Sequence, residues 1–131
     1  MRDGLMIYNA KQSDRDTIRR AFSRKYTLVF AGREDRSAST CNHGSCKVFL
    51  FFIQGYDETR FSELRRIMRE DAFERPVVVI TEANTIEVDR ELAGAGIFCR
   101  LEKPYGAGDL EIIVRGAMLY WSSKRITPWE P

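Results

Sequence analysis

The sequence predicts an α/β fold, a parallel sheet covered by helices on both faces, and two observations predict it. Five short apolar runs rich in Val, Ile, Phe and Tyr recur along the 131 residues, and segments with helical spacing separate them. One run, Val48–Ile53 "VFLFFI", is apolar at six consecutive positions, the pattern of a strand buried on both faces of a parallel sheet.

Taken in order, Leu5–Tyr8 "LMIY" is the first strand. A helix over Ser13–Arg24 follows, with Ser13 as N-cap, an acid three residues on, and Ile18, Ala21 and Phe22 on one face. Thr27–Ala31 "TLVFA" is the second strand. The connection "GREDRSASTCNHGSC" is full of residues that favour caps and turns, so a loop with a turn or two of helix at most is expected there. Val48–Ile53 is the third strand. Thr59–Glu70 then places Phe61, Leu64, Ile67 and Met68 inward and Arg65, Arg66 and Arg69 outward. Val77–Ile80 is the fourth strand, and Thr85–Ala93 offers a weaker stripe of Ile86, Val88 and Leu92. A short fifth strand at Ile97–Leu101 leads to the clearest helix, Asp109–Trp121, with Leu110, Ile113, Val114, Ala117, Met118 and Trp121 on one side. Residues 122–131, "SSKRITPWEP", lack periodicity and are expected to be a tail or linker after a single domain at 1–121.

Composition narrows the function. A chain 44% hydrophobic and 31% charged is an ordinary globular domain, and a net charge of +2 does not point to nucleic acid or a membrane. No apolar run approaches the roughly 20 residues of a membrane span, and "MRDGLMIYNA" lacks the apolar core of a signal peptide. The three cysteines are an odd number, which argues for a reducing compartment, and a cytoplasmic location is expected. With one His, no nucleophile–base pair and no glycine-rich phosphate loop, an enzyme is not expected, nor is a cofactor.

The second half of the chain resembles the receiver domain of response regulators. "RPVVVITEAN" ends a strand in Thr81, an "AGA" turn follows at Ala93–Ala95, and Lys103-Pro104 precedes an amphipathic helix. The resemblance covers about residues 4–121. It implies a three-layer α/β/α sandwich with strand order 2-1-3-4-5 and a short or missing second helix. In that family two acids after the first strand and an Asp ending the third hold Mg²⁺, and that Asp accepts the phosphoryl group, chemistry that needs hard carboxylate oxygens and a carboxylate nucleophile. Here the acidic pair falls on Asn9 and Ala10, and the acceptor position on Phe52. The usually small residue after the switch threonine is Glu82, and the usual aromatic three residues before Lys103 is Arg100. The resemblance is therefore to a pseudo-receiver, a platform without its phosphorylation chemistry.

On this basis the expected function is a phosphorylation-independent protein-interaction module in a two-component-like pathway, as part of a larger regulator or as an adaptor. Its partner, or a second copy, would dock on the helix at 85–93, the fifth strand and the last helix through Val88, Arg100, Glu102, Glu111 and Arg115. Lys103 is expected to bond Asn9, Thr81 or backbone carbonyls, or to pair with Glu82. Asp57 and Glu58 are the nearest acids to Phe52 but lack flanking acids for a metal. The alternative function is a metal, redox or ligand sensor using Cys41, His43 and Cys46 or the emptied pocket. The arginines of "RFSELRRIMRE" alternate with Glu63 and Glu70, as on a solvated helix face, so no nucleic-acid partner is expected.

Overall fold

The fold is described by a computed structural model over residues 2–31, 46–55, 57–70, 75–82 and 85–125. Five parallel strands, β1 (Gly4–Tyr8), β2 (Thr27–Ala31), β3 (Cys46–Ile53), β4 (Val77–Thr81) and β5 (Cys99–Glu102), lie in the order β2-β1-β3-β4-β5. Four helices occur among the described residues: α1 (Gln12–Phe22), α2 (Glu58–Arg69), α3 (Ile86–Ala93) and α4 (Ala107–Arg125). The connection between β2 and β3, at 32–45, lies outside the described residues, and with it Cys41 and His43.

β3 is the centre of the sheet, paired with β1 on one side and β4 on the other. Its alternate side chains enter two separate cores. Phe49, Phe51 and Ile53 join Phe61, Leu64 and Ile67 of α2 and Val88 and Leu92 of α3. Val48, Leu50 and Phe52 join Ile18 and Phe22 of α1 and Leu110, Val114 and Ala117 of α4. A strand with helices above and below has no solvent face, which is why its sequence is apolar throughout. Each fully buried Leu, Ile or Phe contributes roughly 1.5–3 kcal/mol by leaving water.

Several expectations are corrected. The first helix begins at Gln12 behind Lys11 rather than behind Ser13, and no side chain caps it. Asp14 is drawn into the core by partners described below, and Ser13 becomes part of the first turn. Cys46 opens β3 and is fully buried against the α2–α3 side, so it is not part of an exposed ligand loop. Ile86 is 66% exposed and outside the core. The last helix continues to Arg125, four residues past Trp121, because Ser122 and Ser123 are tolerated on an exposed helix surface. The other caps behave as their chemistry suggests: Asp57 accepts from the Thr59 and Arg60 amides, and Thr85 from Val88.

Candidate functional site

Because the order reverses around β1, the carboxyl ends of β1 and β3 open a crevice, the place where such sheets bind ligands. Asn9 leaves β1 there with φ 63°, a left-handed conformation that Asn accepts more readily than other side-chain-bearing residues. Its amide donates to Ala31 O at 3.0 Å. Its side chain turns to α2, where Nδ2 donates to Glu63 Oε1 at 2.8 Å and Oδ1 accepts from Arg60 Nη1 at 2.9 Å. Beneath it, Phe52 is only 4% exposed and Ala10 packs into the same core. A cleft of about 240 Å³ remains at the surface, lined by Asn9, Phe52, Gln54, Gly55, Asp57 and Arg60. Asp57 is committed to the α2 cap, and Glu58 pairs with Arg65 at 3.0 Å.

The other half of the crevice is an ion network. Lys103 follows β5 through a cis bond to Pro104, and its backbone amide donates to Thr81 O. Its Nζ lies 2.6 Å from Asp14 Oδ2 and 2.8 Å from Glu82 Oε1, and 5.7 Å from the centre of the Phe52 ring. Glu82 also accepts from Lys11 Nζ at 3.0 Å, and Tyr105 donates to the second oxygen of Asp14 at 3.0 Å. Asp14 is buried; Glu82 lies nearer solvent.

The titration behaviour follows from these contacts. Hydrogen bonding from Lys103 holds Glu82 below the usual carboxylate range, against a smaller opposing effect of burial, with Lys11 adding to the lowering. Burial disfavours the Lys103 ammonium, but its bonds to Asp14 and Glu82 together outweigh that and raise its pKa. Burial, then the Asp14 charge, keeps the Tyr105 phenol protonated well above its ordinary range. All of these shifts favour the ion network as drawn.

Of the residues expected at the pocket, Asn9, Ala10, Phe52, Thr81, Glu82 and Lys103 do converge at the carboxyl ends of the strands. Lys103, however, bonds neither the Asn9 side chain nor Thr81 Oγ1; it takes Glu82 and Asp14. Asp14 was legible in the sequence as the one acid in register with Ile18 and Phe22, four and eight residues on. Arg60, Glu63, Lys11 and Tyr105 also belong to the site, with no comparable signal.

The expected docking face comes apart. Val88 is fully buried and contributes packing only. Arg100 turns inward, its Nε donating to Thr81 Oγ1 at 3.3 Å and its guanidinium pairing with Asp89. It thereby fills the space beside the buried threonine. Glu102 stays exposed, 3.8 Å from Arg100 Nε, and at the other end of β5 the rings of Phe98 and Tyr120 lie 5.3 Å apart, both partly exposed. Arg115 lies toward the α1 side, where its charge is felt by Tyr26, and Glu111 precedes it by one turn.

The residues present do not suit the magnesium ion that the receiver pattern implies. The Asn9 amide is used by α2, Phe52 offers a ring, and the Asp14 and Glu82 carboxylates hold an ammonium between them. Among the described residues no group of three or more His, Cys, Asp or Glu is arranged to hold a metal ion.

No protein-family model matches the chain, and no curated protein matches it in sequence. Solved structures do match its fold. The signal receiver domain of an HD domain-containing protein from Pseudomonas fluorescens Pf-5 is 16% identical, with a TM-score of 0.76 over 94% of this chain and 99% of that one. A CheY-like response regulator receiver domain from Methanospirillum hungatei JF-1 is 12% identical, with a TM-score of 0.73 over 95% and 99%. NtrX from Brucella abortus, solved with ADP, is 21% identical with a TM-score of 0.76, over 95% of this chain and 28% of that one. The fold is the CheY-like receiver fold. No described helix is long and apolar enough to cross a membrane.

Proposed function

We propose that this chain is a regulatory, receiver-like module of a two-component-like signalling pathway that works without phosphorylation and without catalysis. One observation carries the proposal: Lys103, the cation that would meet a phosphoryl group, is saturated by the internal acids Asp14 and Glu82, while the acceptor position is a buried phenylalanine. An acyl-phosphate needs a carboxylate nucleophile, and Asn9, Ala10 and Phe52 supply none. Arg100, anchored to Thr81, Asp89 and Glu102, occupies the position of the family's mobile aromatic and cannot swing without breaking these contacts. The likeness in fold supports a signalling role, though a fold alone does not assign one.

With the pocket held in one state, signal passes through partner binding, and the α3–β5–α4 side with Phe98, Tyr120 and Glu102 is the proposed contact. Backbone amide NMR of the chain, titrated with Mg²⁺ and then beryllofluoride, tests the locked pocket. The expected result is no saturable shift at Asn9, Phe52, Thr81 or Lys103. Saturable shifts at those amides would show a working switch and sink the proposal.

A further inference from the structure

α2 and α3 lie over the same face of the sheet, both packed on the core that Phe49 and Phe51 enter. Between them runs a groove of about 580 Å³, within the roughly 300–1,000 Å³ of small-molecule sites. Arg65 of α2 reaches Glu91 of α3 at 2.8 Å and also holds Glu58 at 3.0 Å, so an ion bridge spans the groove. One turn further toward the C-terminal ends of the helices, the lining is Met68, which packs against the core, and Gly94 and Ala95. Arg69 on the α2 wall and Arg90 on the α3 wall are both exposed, and neither forms an ion pair or hydrogen bond among the described residues. Each stands in the last turn of its helix, where a cation offsets the helix dipole, and that role leaves its N–H donors unused. Gly94 has φ −99°, which any residue adopts, and a Cβ there would meet nothing within 4 Å. Neither backbone nor neighbour requires a glycine; its effect is to keep that wall of the groove bare.

We infer that this groove binds a small planar aromatic anion, its charged group between Arg69 and Arg90 and its ring over Met68. The chemistry of the lining selects that class. A guanidinium forks onto carboxylate or phosphate oxygens and also stacks on aromatic faces. A methionine thioether is polarisable, adapts its shape and makes favourable contacts with rings. The groove carries three arginines against one glutamate, and that glutamate is already bridged, so the local field favours an anion. The bridge also selects a compact ligand over a peptide. A chain lying along the groove would have to displace Arg65 from Glu91, whereas a ligand seated past the bridge leaves it whole. Phosphate and carboxylate suit the same fork, so the shared chemistry is an aromatic ring bearing either group. A bound ligand would supply the input that a module without phosphorylation needs; that use rests on the proposed function, whereas the site itself does not.

Amide NMR of the full chain is the test, with AMP and naphthoate as the aromatic phosphate and carboxylate probes and with adenosine and inorganic phosphate as controls. AMP, naphthoate or both should shift the amides of Met68, Arg69, Arg90 and Gly94, saturating with a Kd below about 1 mM. Whichever of the two binds more tightly assigns the charged group. Adenosine and phosphate alone should leave those amides in place at the same concentrations. Arg69→Gln and Arg90→Gln should each weaken binding about tenfold, the loss of one charge-assisted hydrogen bond. Gly94→Leu, at a position whose backbone accepts any residue, should abolish binding by filling the groove while the fold stays intact by circular dichroism. No saturable shift from either probe, equal shifts from inorganic phosphate alone, or normal binding by any of the three variants each overturns the inference. Beryllofluoride shifts at Asn9, Phe52, Thr81 or Lys103 would sink the locked-pocket proposal and leave this site standing.

Discussion

Replacing Lys103 by methionine isolates what the ion network contributes. Methionine keeps most of the stem and removes the ammonium that lies 2.6 Å from Asp14 and 2.8 Å from Glu82. The two acids respond differently. Glu82, with 27% of its side chain exposed, keeps Lys11 and regains water. The Asp14 side chain is 8% exposed and keeps only the Tyr105 hydroxyl. At an effective dielectric of about 20 the lost attraction is about 6 kcal/mol for one pair, set against a desolvation cost of several kcal/mol per ion that Asp14 still bears. Breaking a buried pair from one side typically costs about 3–5 kcal/mol, and the partial exposure of Lys103 places this case near about 3. Asp14→Asn should cost less, about 1–2 kcal/mol, because Lys103 retains Glu82. Asp14→Asn with Lys103→Met should come within about 1 kcal/mol of wild type, since no uncompensated charge is left inside. Urea unfolding at pH 7, followed by far-UV circular dichroism, measures all of these, and the cycle isolates the coupling. Additivity within about 0.5 kcal/mol would refute the reasoning and leave apolar packing around Phe52 as what holds the pocket.

Three further outcomes are expected. Phe52→Asp, which restores an acid at the acceptor position, should lose about 3–5 kcal/mol of stability and still take up no phosphoryl group from a small phosphodonor, as mass spectrometry would show; one phosphoryl added at residue 52 would contradict this. Asn9→Ala should unfold more readily than Asn9→Gly by about 1 kcal/mol, although both lose the bonds to Glu63 and Arg60, because only alanine is strained at φ 63°; equal midpoints would show that the backbone there relaxes. Stability should fall off on both sides of a neutral plateau. The depressed Glu82 pKa adds stability that is complete above its ordinary value of 4.5 and is lost as the pH drops below it. The raised values of Lys103 and Tyr105 add stability that is complete below 10.5 and 10.0 and is lost as the pH rises beyond them. Urea midpoints across pH would check this, and Lys103→Met should flatten the acid limb.

The order of elements and the buried central strand were written in one-dimensional pattern. "VFLFFI" reads as a strand buried on both faces, and the stripes of α2 and α4 name the sides they bury. The burial of Phe52 was legible for the same reason, since a strand's period of two leaves it no solvent to point into, whereas its place at the acceptor position is what the resemblance to receiver domains implies. What tertiary structure decided is which charges meet. Asp14 and Lys103 are 89 residues apart in the chain, and Lys11 and Glu82 are 71 apart. Only the sheet order brings α1, β4 and β5 to one crevice. The same holds for Arg100, whose sequence position suggested an outward face until Thr81 and Asp89 drew it in. Apolar burial is non-directional and leaves its periodicity in the sequence, whereas an ion pair depends on where two distant ends are finally placed.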